Sequence, residues 1–254
     1  MNIEPVQVLT VSSRKRRIAA FLIDHFVITF LMVALIFLIL GPGFMDNDNF
    51  SKFMTTLWLV GVPGFLLYFA KDSIRGISAG RWIMGIMVRD ADNPQEVPSP
   101  GRLAIRNLFL ILWPVEFIAL AVSPEKKRLG DKSMKTVVVK NPNKAAKLPR
   151  VLALVGVGLA FFVFSFLFAG NALKNSDAYK IAVKEIEHNE EILEETGGIK
   201  GYGMMPKGNI SIVNGRGEAQ LEINVTGNKK DITVNVFLTK EPHEEWKLVE
   251  FSKE

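Results

Sequence analysis

Arg17 and Asp24 stand seven residues apart, with Ala20 between them. On an α-helix that spacing puts both side chains on one face, roughly 10 Å apart along the axis. Asp24 falls inside an apolar run, and an ionisable group at that depth is costly unless it is paired or functional. Two kinds of chemistry fit. The carboxylate could carry protons or cations, or it could lock helices together by pairing with a basic residue. Arg106, in a later apolar segment that also holds Glu116, is the natural partner, with Arg17 assisting from the interface. His25 lies one helical step off this face and reads as a polar packing residue.

Other candidates are weaker. Gly76-x-x-x-Gly80 followed by Gly85 lacks the Gly-Lys-Ser/Thr ending of a phosphate loop, and no strand precedes it. An interfacial amphipathic helix is the better expectation, with Trp82, Ile83, Ile86 and Met87 toward lipid and Arg81 toward headgroups. Lys126, Lys127 and Arg128 read as a topology determinant and a contact for anionic lipids. The three histidines have no ligand spacing and the chain has no cysteine, so neither a metal centre nor a cofactor is expected. No serine, histidine and acid arrangement marks a nucleophile, so no enzyme is expected.

The elements that must position these residues are membrane spans. Hydrophobic residues make up 48% of the 254, and mean hydropathy is +0.21 despite 22% charged residues. The net charge of +5 does not point to nucleic acid, because the basic residues flank apolar runs. Ile18–Leu40 is long enough, at roughly 34 Å, to cross a bilayer with some tilt. Phe53–Ala70 is a shorter span with a kink expected at Pro63. Val151–Gly170 carries no charge and is a clear span.

Leu103–Val122 is ambiguous. The loop after it, up to Arg150, holds nine basic residues against Glu125 and Asp131, and a full crossing would put that loop outside, against the positive-inside rule. Arg106 and Glu116 at the bilayer centre would each cost a few kcal/mol. Three full spans and one re-entrant or interfacial segment, broken near Trp113-Pro114, are therefore expected. The amino terminus and the basic loop lie in the cytoplasm. The acidic loop with Asp46 and Asp48 lies outside, and so does the carboxyl-terminal part.

That last part reads as a separate α+β domain. Ser176 is a fitting N-cap, Tyr179, Val183, Ile186 and Leu193 recur near helical spacing, and Gly197-Gly198 ends the helix. Beyond it apolar and polar residues alternate through Asn209–Asn214, Ala219–Val225 and Ile232–Val236, closing with Trp246, Leu248 and Phe251. The expected fold is a membrane α-helical bundle followed by one helix packed on a curled antiparallel sheet. The boundaries read as a tail over 1–13, a membrane domain over 14–140, a basic linker over 141–150, a span over 151–170 and the outer domain over 171–254.

Three motifs occur in order: Arg17-Ile18-Ala19-Ala20-Phe21-Leu22-Ile23-Asp24, then Gly80-Arg81-Trp82-Ile83-Met84-Gly85 running to Asp90, then Arg128-Leu129-Gly130-Asp131 running to Val139. They resemble the RDD family of membrane proteins, over about Arg14–Lys140. By that resemblance Arg17, Asp24 and Asp131 are the name-giving residues. Ser133-Met134-Lys135 departs from the family, which usually has small or apolar residues ending in glycine there. The resemblance implies a link to transport, including cation/proton exchange. The last third, through Tyr179–Ala182, Gly201–Gly208 and Asn209–Gly215, resembles the cytochrome oxidase assembly protein 1 family, which implies an outward-facing domain.

The expectation that follows is a non-enzymatic accessory or assembly factor of a plasma or inner membrane. Its outer domain would contact another membrane protein or complex. The alternative is a small transporter or cation/proton exchanger using Asp24, for which three spans enclose little pathway unless the protein forms a homo-oligomer.

Overall fold

A computed structural model describes residues 9–41 and 50–253, so Asp46 and Asp48 lie outside the described residues. The chain divides into two compact units: Met1–Ile36 with Met54–Phe161, and Phe37–Phe53 with Phe162–Glu254.

Among the described residues four helical segments are long and apolar enough to cross a membrane: Arg14–Leu40, Phe50–Ala70, Pro100–Val122 and Lys147–Asn175. The first, α1 (Arg14–Leu40), starts at the basic cluster. The second, α2 (Phe50–Ala70), continues through Pro63. Gly64 lets α2 approach α1, since a Cβ there would collide with the Met32 side chain; small residues serve this purpose between membrane helices. Leu31, Leu38, Trp58 and Leu66 stay exposed, a surface suited to lipid and not to water.

The third segment is not one α-helix. It consists of α4 (Pro100–Leu108), a 3₁₀ turn (Phe109–Leu112) and α5 (Trp113–Val122). The break falls just before Trp113-Pro114, where proline suits a helix start because its missing N–H is not needed.

The rest of this unit is built on a repeat that the sequence reading did not anticipate. A short helix, α3 (Ala79–Met84), leads into β1 (Ile86–Asp90). Fifty residues later α6 (Leu129–Ser133) leads into β2 (Thr136–Lys140). The strands pair antiparallel, Ile86 opposite Lys140 and Asp90 opposite Thr136, with Val88 facing Val138 at the centre. Residue n of the first copy matches n+50 of the second, so the ribbon has an approximate two-fold through Val88 and Val138.

The expected interfacial helix over this stretch is corrected. Gly85 adopts φ 65° and ends α3, after which Ile86 and Met87 enter the strand and are buried. Arg81 is also buried instead of facing headgroups. The partner strand is a valine run far along the chain, invisible to a local periodicity argument.

The last long helix is α7 (Lys147–Asn175). In the second unit α8 (Asp177–His188) and α9 (Glu190–Thr196) cover one face of a five-stranded antiparallel sheet. Its strands are β3 (Ile199–Tyr202), β4 (Lys207–Val213), β5 (Arg216–Gly227), β6 (Ile232–Lys240) and β7 (Lys247–Lys253). The order is β3-β5-β6-β7, with β4 also on β5. Ser176 caps α8, accepting from the Tyr179 N–H at 3.2 Å. The single helix expected here is two, because Asn189 interrupts it and caps α9 through the Ile192 N–H at 3.1 Å. Alternation sends Ala219, Leu221, Ile223 and Val225, and on β6 Ile232, Val234, Val236 and Leu238, against Ala182, Ile186 and Ile192. Each buried aliphatic side chain stabilises by about 1.5–3 kcal/mol.

Candidate functional site

Asp24 and Arg17 do share a face of α1, and both are buried. Between them Ala20 gives α3 room to reach the helix backbone; a Cβ on Gly80 would collide with the Ala20 carbonyl oxygen. Asp24 therefore meets the start of α3. Its Oδ2 accepts from Ser78 Oγ at 2.6 Å and its Oδ1 accepts from the Gly80 N–H at 2.6 Å. Lys71 Nζ lies 3.5 Å from Oδ2 and 4.3 Å from the centre of the Tyr68 ring. His25 is exposed in the protein, with its ring beside those of Phe21 and Tyr68.

The expected Asp24–Arg106 pair does not form. Arg106, with no solvent exposure, gives its donors elsewhere: Nε to Asp131 at 2.7 Å and Nη1 to Asp72 at 3.0 Å. Arg17 likewise pairs with Asp131 and donates to the Lys126 carbonyl. Asp131 also accepts from the Arg128 N–H at 2.9 Å, which fixes the start of α6. Asp72 receives Asn107 Nδ2 at 2.9 Å and an ion pair from Arg81. Thus Arg17, Arg106 and Asp131 meet directly, whereas Asp24 belongs to a neighbouring group with Lys71 and Ser78.

Glu116 answers Asp24 across the repeat. Its Oε1 accepts from the Gly130 N–H at 2.9 Å, and Arg128 Nε lies 3.6 Å from Oε2. A Cβ on Gly130 would strike the Arg106 carbonyl oxygen. The reading of Arg128 as a lipid contact is corrected, since its side chain is buried among Glu116 and Asp131. Lys127 is more open and pairs with Glu125 at 2.8 Å. Lys71 and Asp72 were missed, and Arg81 was placed at the headgroups, because charged residues after a span look solvated when their partners cannot be seen.

Burial pushes the Lys71 ammonium, one residue beyond α2, down to about 7; Asp24 opposes this, while Arg81, Arg128 and Arg106 add to it. Burial lowers Arg128 to about 10, with Asp131 opposing. Burial alone would raise the Asp131 carboxyl, but Arg17, Arg106 and Arg128 hold it well below the usual carboxylate range.

The cluster sits where several chain segments are tied together. Arg14 donates from Nε to the Leu120 carbonyl at 3.0 Å and from Nη2 to that of Ser123 at 2.7 Å. At the other end of the broken segment Arg102 pairs with Asp90 and donates to the Met134 carbonyl at 2.7 Å. Val11, before α1, bridges Val139 on β2. A cavity of about 20 Å³, lined by Arg17, Asp24, Lys71, Arg81, Arg106 and Arg128 among others, lies inside the cluster. That is room for one water-sized particle.

A family model described as the RDD family matches residues 11–178. The matched stretch includes the three motifs, both copies of the helix–strand repeat and α7. No curated protein matches the chain, and no solved structure does. The likeness of the last third to the cytochrome oxidase assembly protein 1 family receives no support from these comparisons.

Proposed function

The chain belongs to the RDD family of membrane proteins, and we propose that its membrane half is a rigid anchor that presents the α+β domain to another membrane protein or complex. One observation carries this reading. Each carboxylate of the buried cluster is held by fixed donors: Asp24 by Ser78 and Gly80, Asp72 by Arg106 and Asn107, Glu116 by Gly130, Asp131 by Arg106 and Arg128. A network that anchors each carboxylate in this way fixes geometry, which supports an anchor over an ion carrier.

The same geometry supports a topology. Because β1 pairs with β2 and Val11 bridges Val139, the chain before α1 and both flanks of Pro100–Val122 belong to one end of the unit. Pro100–Val122 then dips into the bilayer and returns at the 3₁₀ turn. The remaining helices α1, α2 and α7 make three crossings. Basic residues put the paired end in the cytoplasm of a plasma or inner membrane and residues 171–254 outside. There the domain would act as an assembly factor does, through protein contact, with anionic lipids held by the basic loop.

The test is a crosslinking pull-down of the full chain from native membranes beside ion flux from the pure protein in proteoliposomes. A reproducible partner that is lost on deleting residues 177–254, together with no flux, supports the anchor. Flux that Asp24→Asn abolishes would replace it with the second reading, a cation/proton exchanger acting as a homo-oligomer. The proximity of Lys71 to Asp24 is what favours that alternative.

A further inference from the structure

The buried cluster is not electrically balanced. Five cations (Arg17, Lys71, Arg81, Arg106, Arg128) face four carboxylates (Asp24, Asp72, Glu116, Asp131), and all nine side chains are buried. The imbalance is sharper at the cavity, whose lining includes all five cations but, of the carboxylates, Asp24 alone. Arg17 Nε, Arg106 Nη2 and Arg128 Nη2 make no hydrogen bond among the described residues, and Lys71 Nζ and Arg128 Nε meet carboxylates only as ion pairs, at 3.5 Å to Asp24 and 3.6 Å to Glu116; of the carboxylate oxygens, Asp72 Oδ1 and Glu116 Oε2 also lack a hydrogen bond. A buried donor without an acceptor is expensive, and more so when charged.

One water cannot answer this need, because it accepts at most two hydrogen bonds and brings two donors of its own. A small anion accepts from every side and removes the excess charge. Size then selects the anion. A phosphate or a lipid headgroup exceeds a cavity of about 20 Å³, whereas a halide approximates one water.

We propose that this cavity is a binding site for a single small monovalent anion, chloride in size, held among Lys71, Arg17, Arg106 and Arg128. The site is structural in the first instance: the anion completes the charge network that joins α1, the end of α2, α4 and α6. Its occupancy depends on Lys71, whose ammonium burial pushes down to about 7 and which faces Asp24, Tyr68, Arg81, Arg106 and Arg128. With Lys71 neutral the five cations become four and the electrostatic reason for the anion is gone.

The experiment uses the full-length protein in detergent, with sodium chloride, bromide or gluconate at constant ionic strength. Thermal melting and equilibrium binding of chloride-36 are read together. Chloride and bromide should raise the melting temperature saturably while gluconate does not, and chloride-36 should bind at one saturable site. Lys71→Met should melt cooperatively in gluconate, lose the halide effect and bind no chloride-36. Should that variant not fold, the wild type decides the matter by pH. Chloride affinity should fall by about tenfold per pH unit above the Lys71 value as its proton is lost. Identical melting in all three salts without chloride-36 binding would mean that water alone fills the cavity. Halide binding that ignores both Lys71→Met and pH would place the anion elsewhere. Either result overturns the proposal.

Discussion

Gly80 and Gly130 occupy one position in two copies of the same helix–strand unit, and each donates its backbone N–H to a carboxylate on a membrane segment: Asp24 at 2.6 Å for the first and Glu116 at 2.9 Å for the second. Each copy of the unit is thereby docked on its own acidic anchor, and the two copies are joined through Val88 and Val138. Asp24 and Glu116 are docking points for these short helices.

Close approach at these two glycines makes the first prediction. A methyl group at either would meet a backbone carbonyl, of Ala20 or of Arg106, which cannot swing aside. Gly80→Ala and Gly130→Ala should each destabilise the protein by about 1–3 kcal/mol. Gly101→Ala is the control, because nothing lies near its added methyl and it sits in α4; it should be neutral or gain about 0.5–1 kcal/mol. Detergent melting of the three variants checks the contrast.

At the end of each unit's helix the two copies differ. Gly85 takes φ 65°, and its counterpart Lys135 is held at φ 46° despite its side chain. The Lys135 side chain makes an exposed 3.9 Å ion pair with Asp92, worth little. Lys135→Gly should therefore stabilise by about 1 kcal/mol, and Lys135→Val should destabilise. Equal melting of all three proteins would refute the account of that turn.

Double-mutant cycles separate the two charge groups. Arg106→Gln leaves Asp72 and Asp131 each short of a guanidinium and should cost about 3–5 kcal/mol. Asp24 makes no direct pair with Arg106, so Asp24→Asn and Arg106→Gln should couple less strongly than Asp24→Asn and Lys71→Met. Asp24→Asn and Lys71→Met should show a coupling of more than about 0.5 kcal/mol. Coupling of Asp24 to Arg106 but not to Lys71 would contradict the geometry.

Lys71 also sets a pH dependence. Its value of about 7 lies below the ordinary 10.5, so between those values the unfolded chain binds the proton and the folded chain does not. Stability should rise with pH across that window and be flat in this respect below about 7. In gluconate buffers Lys71→Met should remove the rise. A wild-type melting temperature that falls from pH 7 to pH 9 while Lys71→Met does not change would contradict the assignment.

Much of the architecture was legible in the sequence because it depends on length and alternation. Ile18–Leu40 and Val151–Gly170 are long apolar runs, and β5 and β6 alternate residue by residue. The α8–α9 break was hidden because Asn189 sits in a glutamate-rich stretch that reads as one helix. The ribbon was hidden because five-residue strands carry little periodicity and the pairing is long-range. Its trace was present, since Gly80, Met84 and Val88 recur as Gly130, Met134 and Val138. The site was half legible. Depth in an apolar run singled out Asp24, and Arg106 was singled out as its partner. Which acid met which base depended on the tertiary docking of α3 and α6, and no spacing rule encodes that.

The proposed topology rests on Pro100–Val122 turning back within the bilayer. Single-cysteine labelling tests it most directly, because the chain has no cysteine of its own. Asp92→Cys, Lys132→Cys and Glu245→Cys sit at exposed positions. In intact cells an impermeant maleimide should label Glu245→Cys at once, and Asp92→Cys and Lys132→Cys only after the membrane is opened. Labelling of Lys132→Cys from outside with Asp92→Cys protected would mean that Pro100–Val122 crosses fully, and the account would be wrong.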